Sequence, residues 1–365
     1  MLAALLVSGV AWLYQLTTSG RVVSKNGMVL SLLHWVLIAW MSCVVIVNVV
    51  LGVVSPAHAV ISVQVIVAMA GMYCLGVNFK PPRDAGLFLI LSLFFAGVCT
   101  YYYVPSLGYV EIPPGPGEAV DVAYAVTSNY QGIARSIMYT GLLAVPFIRD
   151  RRVKSVVFLV YCWLLVKTGS RTDAALMVLL LPAFVYINYG PVKTALFAAG
   201  GFALVALFSL GADFTGDTRY SLTGASASLE ERTRYLMAGL RAIHDYPLIG
   251  DFMYYLEKFD SPGAYIHNGL SMWADYGLFA MALYVVLILA TTVMGVWAAL
   301  PRRRTGTPEL LLYLGVTSLV GVVVAKSIAW PMPALAWGIA YSFLSRHQVL
   351  RSRSPVLTGA ASPTL

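Results

Sequence analysis

The chain contains little charge. Only 11% of its 365 residues are Asp, Glu, Lys or Arg, whereas 59% are hydrophobic. Soluble domains have about 25% charged residues and roughly half apolar residues. The mean hydropathy of +0.78 points the same way. The low charge excludes an ordinary soluble domain and indicates a membrane protein.

Sequence patterns for disulfides, metals and nucleotides are also missing. The four cysteines lie within apolar stretches, form no Cys-x-x-Cys pair and are typical of small buried hydrophobes: Cys43, Cys74, Cys99 and Cys162. The chain has no Walker sequence, no nucleotide-binding glycine loop and no zinc pattern. It also has no internal repeat strong enough to indicate an inverted-repeat transporter. We therefore expect neither a cofactor nor a metal ion.

Long apolar stretches are what the sequence has in abundance. They lie near residues 2–18, 28–53, 57–78, 85–104, 133–148, 155–168, 172–188, 192–210, 268–299, 309–326 and 327–345. Most approach the ~20 residues that cross ~30 Å of hydrocarbon as a helix. The predicted fold class is an all-α polytopic membrane protein with about 11 transmembrane helices. Its predicted parts are N-terminal helices 1–8 (1–210), a large external loop (211–267), C-terminal helices 9–11 (268–345) and a tail (346–365).

The basic residues are concentrated in every second loop. The clusters are Arg21/Lys25, Lys80/Arg83, Arg149/Arg151/Arg152/Lys154, Lys193, Arg302/Arg303/Arg304 and Arg346/Arg351/Arg353. They hold 15 of the 24 basic residues and three acidic residues, which leaves 9 basic and 13 acidic residues elsewhere. The positive-inside rule makes these loops cytoplasmic. This predicts a cytoplasmic C-terminus and, with eleven spans, an external N-terminus, so the net charge needs no nucleic-acid partner to explain it.

The external segment 211–267 is longer than a plain connection, which favours a functional element. Ser228-x-x-Glu231 has the form of a capping box at a helix start. Four apolar side chains then recur at helical spacing: Leu229, Leu236, Leu240 and Ile243. We predict an amphipathic helix in this loop, with these four residues as its buried face.

Three arginines lie on the predicted loop helix. Arg232 lies at the edge of the apolar stripe, whereas Arg234 and Arg241 lie on the opposite face. Arg232 is therefore the arginine expected to be held against the membrane domain.

A further arginine opens a predicted transmembrane helix in "KTGSRTDAAL", residues 167–176. Ser170-x-x-Asp173 indicates a cap and places Arg171 in the first helical turn, where a cation opposes the helix dipole unless an anion binds. Backbone N–H groups and the guanidinium would then converge on that anion. The alternative is that Arg171 pairs with Asp173 or extends to lipid headgroups. Lys167 and Arg135, near external helix ends, either add charge to the same basin or anchor at the interface.

A histidine stands at the outer end of a later span, in "YIHNGLSMWADYGLFA", residues 265–280. If the helix starts at once, Asp275 lies two turns below His267 and Asn268 on a similar face. A histidine can accept a proton near neutral pH, and a neighbouring carboxylate can orient it. The alternative is a structural hydrogen bond at the interface.

Three segments taken together resemble the O-antigen ligase and polymerase family of bacterial membrane glycosyltransferases. They are "SRTDAAL", "RTRYLMAGLRAIHDYPLIG" at residues 232–250 and "HNGLSMWADYGLF" at residues 267–279, and the match covers residues 165–285. The resemblance implies a GT-C-like helical fold in the bacterial plasma membrane, with the active site on the external face. It also implies a glycan on undecaprenyl pyrophosphate as donor and a glycan or glycolipid as acceptor. A flippase and a chain-length regulator are further candidate partners.

The resemblance implies a role for each matching residue. Arg171 and Arg232 would hold the pyrophosphate, where a planar guanidinium stabilises developing charge. His267 would deprotonate the acceptor hydroxyl, with inversion at the anomeric carbon and no metal. Asn268 and Asp275 would support His267, and Ser170 would support the helix start.

Two reactions of the family and one alternative of another class remain open. A polymerase transfers the growing chain to another lipid-linked repeat unit of capsule, exopolysaccharide or O antigen. A ligase transfers it to a different acceptor, such as lipid A core. We favour the polymerase because this chain departs from the commoner family pattern. A transporter or flippase of an anionic lipid-linked glycan would also use external arginines and an intramembrane Asp275.

Overall fold

The structure is a computed structural model. It describes residues 25–81, 85–102, 105–106, 109–110, 129–168, 170–197, 222–259, 265–301, 303–324 and 326–353. The first predicted span, 2–18, and most of the span 192–210 lie outside these residues. All structural statements below refer to the described part of the chain.

The described chain is almost entirely helical. The helices are α1 (Lys25–Val50), α2 (Pro56–Asn78), α3 (Ala85–Tyr102), α4 (Asn129–Ala144), α5 (Arg151–Lys167), α6 (Arg171–Leu179), α7 (Leu181–Tyr189), α8 (Leu222–Asp245), α9 (Tyr254–Phe259), α10 (Leu270–Ala299), α11 (Thr307–Val324) and α12 (Met332–Arg353). Residues 191–197 are also helical, and a 3₁₀ turn covers Val145–Phe147. Two-residue strands, β1 (Pro105–Ser106) and β2 (Tyr109–Val110), pair antiparallel.

Five helices of the described part are long and apolar enough to cross a membrane. They are Lys25–Val50, Pro56–Asn78, Thr172–Tyr189, Leu270–Ala299 and Thr307–Val324. Shorter apolar helices cover Leu89–Val98 and Gly132–Phe147. Because a helix satisfies its own backbone hydrogen bonds in hydrocarbon, these segments describe a helical, membrane-embedded protein. Each of the five coincides with a span predicted from the sequence.

The chain forms two compact units. Unit 1 contains residues 1–79, 238–291 and 326–365, and unit 2 contains residues 80–237 and 292–325. In unit 1, α2 and α12 cross closely at two glycines. A Cβ atom added to Gly76 or Gly338 would come within 2.8 Å of a backbone nitrogen of the other helix. Small residues allow this close backbone approach, which is how membrane helices associate.

In unit 2, a buried polar cluster joins α5, α7 and α11. Lys154 Nζ donates hydrogen bonds to Glu309 Oε2 at 2.5 Å and to Asn188 Oδ1 at 3.3 Å. Tyr313 OH donates to Glu309 Oε1 at 2.6 Å. Lys154 and Glu309 are at most 1% exposed. A buried charge requires partners of this kind, so the cluster fixes the starts of α5 and α11 beside the end of α7.

Three of the loops that the charge pattern assigns to one side of the membrane lie at the end of unit 2 that holds this cluster. Tyr189 OH donates to the carbonyl of Arg151 at 3.1 Å, and the Gly306 N–H donates to the carbonyl of Pro146 at 3.1 Å. The loops near residues 150, 190 and 305 therefore share one end, as predicted. The prediction counted Lys154 and Glu309 among the loop charges, and this was wrong, because the two residues form a buried ion pair. Leaving out both does not change the positive excess of these loops.

Candidate functional site

The loop helix exists, but its start differs from the prediction. Helix α8 begins at Leu222 and ends at Asp245. Ser228 therefore lies inside the helix, and the capping-box prediction was wrong. The sequence 222–227 contains four small residues and no proline, so no proline stops the helix from extending toward its N-terminus.

The buried face of α8 is also displaced from the predicted one. Ala238, Ala242 and Ile243 are buried, and Ile266 lies against Gly239, whereas Leu240 is 40% exposed. This face is rotated by roughly a quarter of a turn from the leucine stripe. Small side chains let α8 pack closely against its neighbours in unit 1, which a pattern based on large apolar residues misses.

The arginines of α8 are all exposed: Arg232, Arg234 and Arg241. The prediction that Arg232 is held against the membrane domain was therefore wrong in its packing argument. Arg234 lies with its guanidinium 5.6 Å from the ring centre of Tyr235.

The turn after α8 packs directly onto the start of α10. The N–H of Asp251 donates to the carbonyl of Ala274 at 2.7 Å, and the N–H of Leu278 donates to the carbonyl of Pro247 at 3.1 Å. Trp273 Nε1 donates to the same Pro247 carbonyl at 2.7 Å. The "DYPLIG" and "ADYG" segments are therefore in contact, and they make up one site in unit 1.

Two glycines make this contact close. Gly277 has φ 81° and ψ 176°, which interrupts α10, and Gly250 has φ 77°. A Cβ atom on Gly250 would lie 2.7 Å from the Gly277 nitrogen, and one on Gly277 would overlap the Leu248 carbonyl oxygen. Both positions require glycine for its positive φ and for space. The interruption turns the Tyr276 carbonyl toward Trp40, whose Nε1 donates to it at 2.8 Å.

Asp275 is buried in this contact. Its Oδ1 accepts a hydrogen bond from the Met253 N–H at 3.3 Å, across the turn that leads into α9. Met253 has φ 59°, a conformation that a non-glycine residue adopts at a cost. Asp275 thus holds a strained turn in place, a role that the sequence did not indicate.

His267 and Asn268 precede α10 rather than lie on it. The helix begins at Leu270, so the predicted two-turn spacing between His267 and Asp275 does not apply. Asn268 Oδ1 accepts from the Leu270 N–H at 2.9 Å, and the Asn268 carbonyl accepts from Ser271 Oγ at 2.9 Å. Asn268 therefore caps the helix start, which is support for the backbone beside His267.

His267 is half-buried at the end of a row of aromatic rings. Its ring centre lies 5.2 Å from that of Tyr265, which lies 5.7 Å from Tyr255, and Tyr254 follows at 5.4 Å. Burial, with a smaller contribution from Asp275, raises the pKa of Tyr254 and Tyr255 far above the ordinary value. These two hydroxyls therefore stay protonated, and Tyr265 lies between their rings and the histidine. The tyrosines of this row were not identified from the sequence, although "MYYLEKF" carries two of them.

The second group of predicted residues lies in unit 2. Helix α6 begins at Arg171 with Ser170 in the N-cap position, as predicted. Ser170 Oγ donates to Asp173 Oδ2 at 2.6 Å, and both residues are buried. Ser170 does not cap the helix through its side chain, because its hydroxyl is used by the carboxylate. The Arg171 side chain lies outside what the structure describes.

Lys167 and Arg135 are the other two basic residues predicted for this region. Lys167 is exposed in the last turn of α5, where a cation complements the helix dipole. Arg135 is half-buried on α4, which packs against α5 and α6. Lys167 therefore lies four residues before Arg171 at the exposed end of α5, and Arg135 lies on a helix that packs against α6.

The described residues contain no group of three or more His, Cys, Asp or Glu side chains placed to hold a metal ion. No protein-family model, no curated protein and no solved structure matches this chain.

Proposed function

We propose that the protein is a membrane glycosyltransferase that moves a glycan from undecaprenyl pyrophosphate to a sugar hydroxyl on the external face of the bacterial plasma membrane. Its favoured reaction is polymerisation of surface polysaccharide repeat units. The fold proposed for it is GT-C-like with about eleven spans, and the C-terminus is cytoplasmic.

One observation supports the proposal most. Two of the three segments that carry the family resemblance, residues 232–250 and 267–279, are in contact in space through the Gly250–Gly277 crossing. Such contact is expected if both segments contribute to one site. The half-buried His267 opens the second of these segments, with its ring centre 5.2 Å from that of Tyr265.

The proposed mechanism assigns one task to each residue. Arg171 and Arg232 bind the pyrophosphate and stabilise its charge as the sugar–phosphate bond breaks. His267 accepts the proton of the acceptor hydroxyl as that oxygen attacks the anomeric carbon from the opposite side. Lys167 and Arg135 add positive potential for the donor. Asn268 supports the start of α10 beside His267, Asp275 supports the Met253 turn, and Ser170 supports the start of α6 through Asp173.

The test is an incubation of the purified protein in detergent with a synthetic undecaprenyl-pyrophosphate oligosaccharide. Longer lipid-linked ladders are expected for a polymerase. Transfer only to an added lipid A core acceptor would identify a ligase instead. A donor that stays unchanged with every acceptor would contradict glycosyl transfer and favour transport.

The same assay in excess EDTA tests the metal-independent mechanism. Activity should persist, because arginines and helix N-termini are proposed to carry the anion. Activity that is lost with EDTA and restored by magnesium would contradict this part of the proposal.

A further inference from the structure

The turn between α8 and Gly250 exposes large apolar side chains. Leu248 is 69% exposed, Ile249 62% and Tyr246 51%. Large exposed apolar groups on one short turn indicate an interaction surface rather than a solvated loop. The question is what covers them.

The length of α10 locates this turn relative to the membrane. From Leu278, after the interruption at Gly277, the helix runs to Ala299 and contains no charged residue. These 22 residues rise about 33 Å at 1.5 Å per residue, which matches the ~30 Å hydrocarbon core. Arg303 and Arg304 follow at one end and Asp275 precedes the other. Leu278 therefore marks one boundary of the hydrocarbon.

The turn is tied to that boundary. The Pro247 carbonyl accepts hydrogen bonds from the Leu278 N–H and from Trp273 Nε1, and tryptophan is typical of the membrane–water interface. Leu278 and Phe279, the first residues of the membrane-crossing part, are 41% and 45% exposed. The apolar surface of the turn is thus continuous with the lipid-facing surface of α10.

We propose that residues Tyr246–Ile249 form a membrane-inserted turn, with Leu248 and Ile249 among the acyl chains of the leaflet nearest Asp275. The residues just before the turn lie outside the hydrocarbon, since His244 and Asp245 are polar and 88% and 59% exposed, and an exposed polar or charged side chain in hydrocarbon is costly. Asp275 then lies above the hydrocarbon boundary rather than within it. The inference does not depend on glycosyl transfer.

The experiment places a nitroxide spin label at single cysteines of the full chain in phosphatidylcholine nanodiscs. Its background replaces Cys43, Cys74, Cys99 and Cys162. The tested variants are Leu248→Cys and Ile249→Cys. His244→Cys, four residues before Leu248, is the control for water. Leu289→Cys is the reference for hydrocarbon, because Leu289 lies in the membrane-crossing part of α10 and is 44% exposed.

Labels at 248 and 249 should be accessible to oxygen and protected from a water-soluble nickel chelate, as at 289. The label at 244 should show the reverse. Nickel accessibility at 248 and 249 equal to that at 244 would overturn the proposal, and so would protection from both reagents, which would indicate a protein partner. Reaction with a membrane-impermeant maleimide is a second readout that needs no spin label. It should modify His244→Cys and spare Leu248→Cys.

Discussion

At the scale of single residues, Asp251 is a carboxyl group whose ionisation the fold disfavours. It is half-buried between the turn and α9, and burial raises its pKa. Glu257 raises the pKa further, and Lys258 lowers it. A carboxyl with a raised pKa holds its proton more tightly in the folded than in the unfolded chain. Its contribution to stability is therefore largest at acidic pH and falls as the pH rises above the ordinary value of about 4.

Asp251→Asn should consequently raise the thermal unfolding temperature at pH 7. The amide keeps the size of the side chain and leaves the backbone bond from Asp251 to Ala274 in place. The gain over wild type should shrink as the pH is lowered toward 4, because the wild-type carboxyl then becomes neutral as well. Unfolding in detergent, followed by tryptophan fluorescence at both pH values, measures this. An equal gain at both values would show that ionisation is not the cause.

Asn268 and Asp275 show which side-chain contacts could not be predicted from the sequence. The family resemblance implied that Asn268 and Asp275 support His267, and helical spacing placed Asp275 on a similar face. In the structure Asn268 caps α10 and Asp275 accepts from the Met253 N–H, because the helix begins only at Leu270. Residue types indicated the place, but the partners depended on a chain reversal between residues 246 and 255 that no local pattern encodes.

At the scale of elements, the crossing of the turn and α10 depends on Gly277. Gly277→Ala adds a methyl group where the Leu248 carbonyl lies and forces a positive φ on alanine. The backbone strain alone costs on the order of 1–3 kcal/mol. Thermal unfolding should show this loss, and the turn must move away from α10.

Gly71→Ala is the matched control. Gly71 lies in α2 with nothing within 4 Å of an added Cβ atom. Alanine is favoured over glycine inside a helix by roughly 0.5–1 kcal/mol, so this variant should unfold at or above the wild-type temperature. Equal loss in both variants would contradict the crossing.

The Lys154–Glu309 pair tests the packing of unit 2. Removing one partner leaves an uncompensated buried charge, so Lys154→Met or Glu309→Leu alone should cost about 3–5 kcal/mol. The double variant should recover most of that loss, since neither charge remains. A double-mutant cycle of unfolding free energies measures the coupling between the two charges. Purely additive losses would contradict an ion pair between them in the folded chain.

The helix α8 shows which element-level features the sequence carries. A helix in segment 211–267 was predicted and is present, because periodic apolar residues and an absence of proline suffice for that. Its buried face was wrong, because Ala238, Gly239 and Ala242 are weakly apolar and pack by shape rather than by hydropathy. The membrane-crossing helices were easier to predict, since their length and apolar content are enough to identify them.

At the scale of the whole molecule, charge predicts the topology. The loops near 150, 190 and 305 share one end of unit 2 and carry the basic clusters. A reporter fused after Arg353 should therefore be active in the cytoplasm, and one inserted near Ala225 should be active outside. A cytoplasmic signal at Ala225 would contradict the external position proposed for Arg232.

In the proposed reaction, His267 acts on the acceptor hydroxyl while Arg171 holds the donor, and variants of these residues separate the two roles. Donor affinity and single-turnover rate are measured for wild type, His267→Ala, Arg171→Ala, Arg171→Lys, Arg232→Ala and the control Arg234→Ala. The account predicts that His267→Ala lowers the rate by roughly 10² to 10⁴ with donor affinity nearly unchanged. Arg171→Ala and Arg232→Ala should weaken both, Arg171→Lys should restore activity only in part, and Arg234→Ala should match wild type. Full activity of His267→Ala would contradict the account.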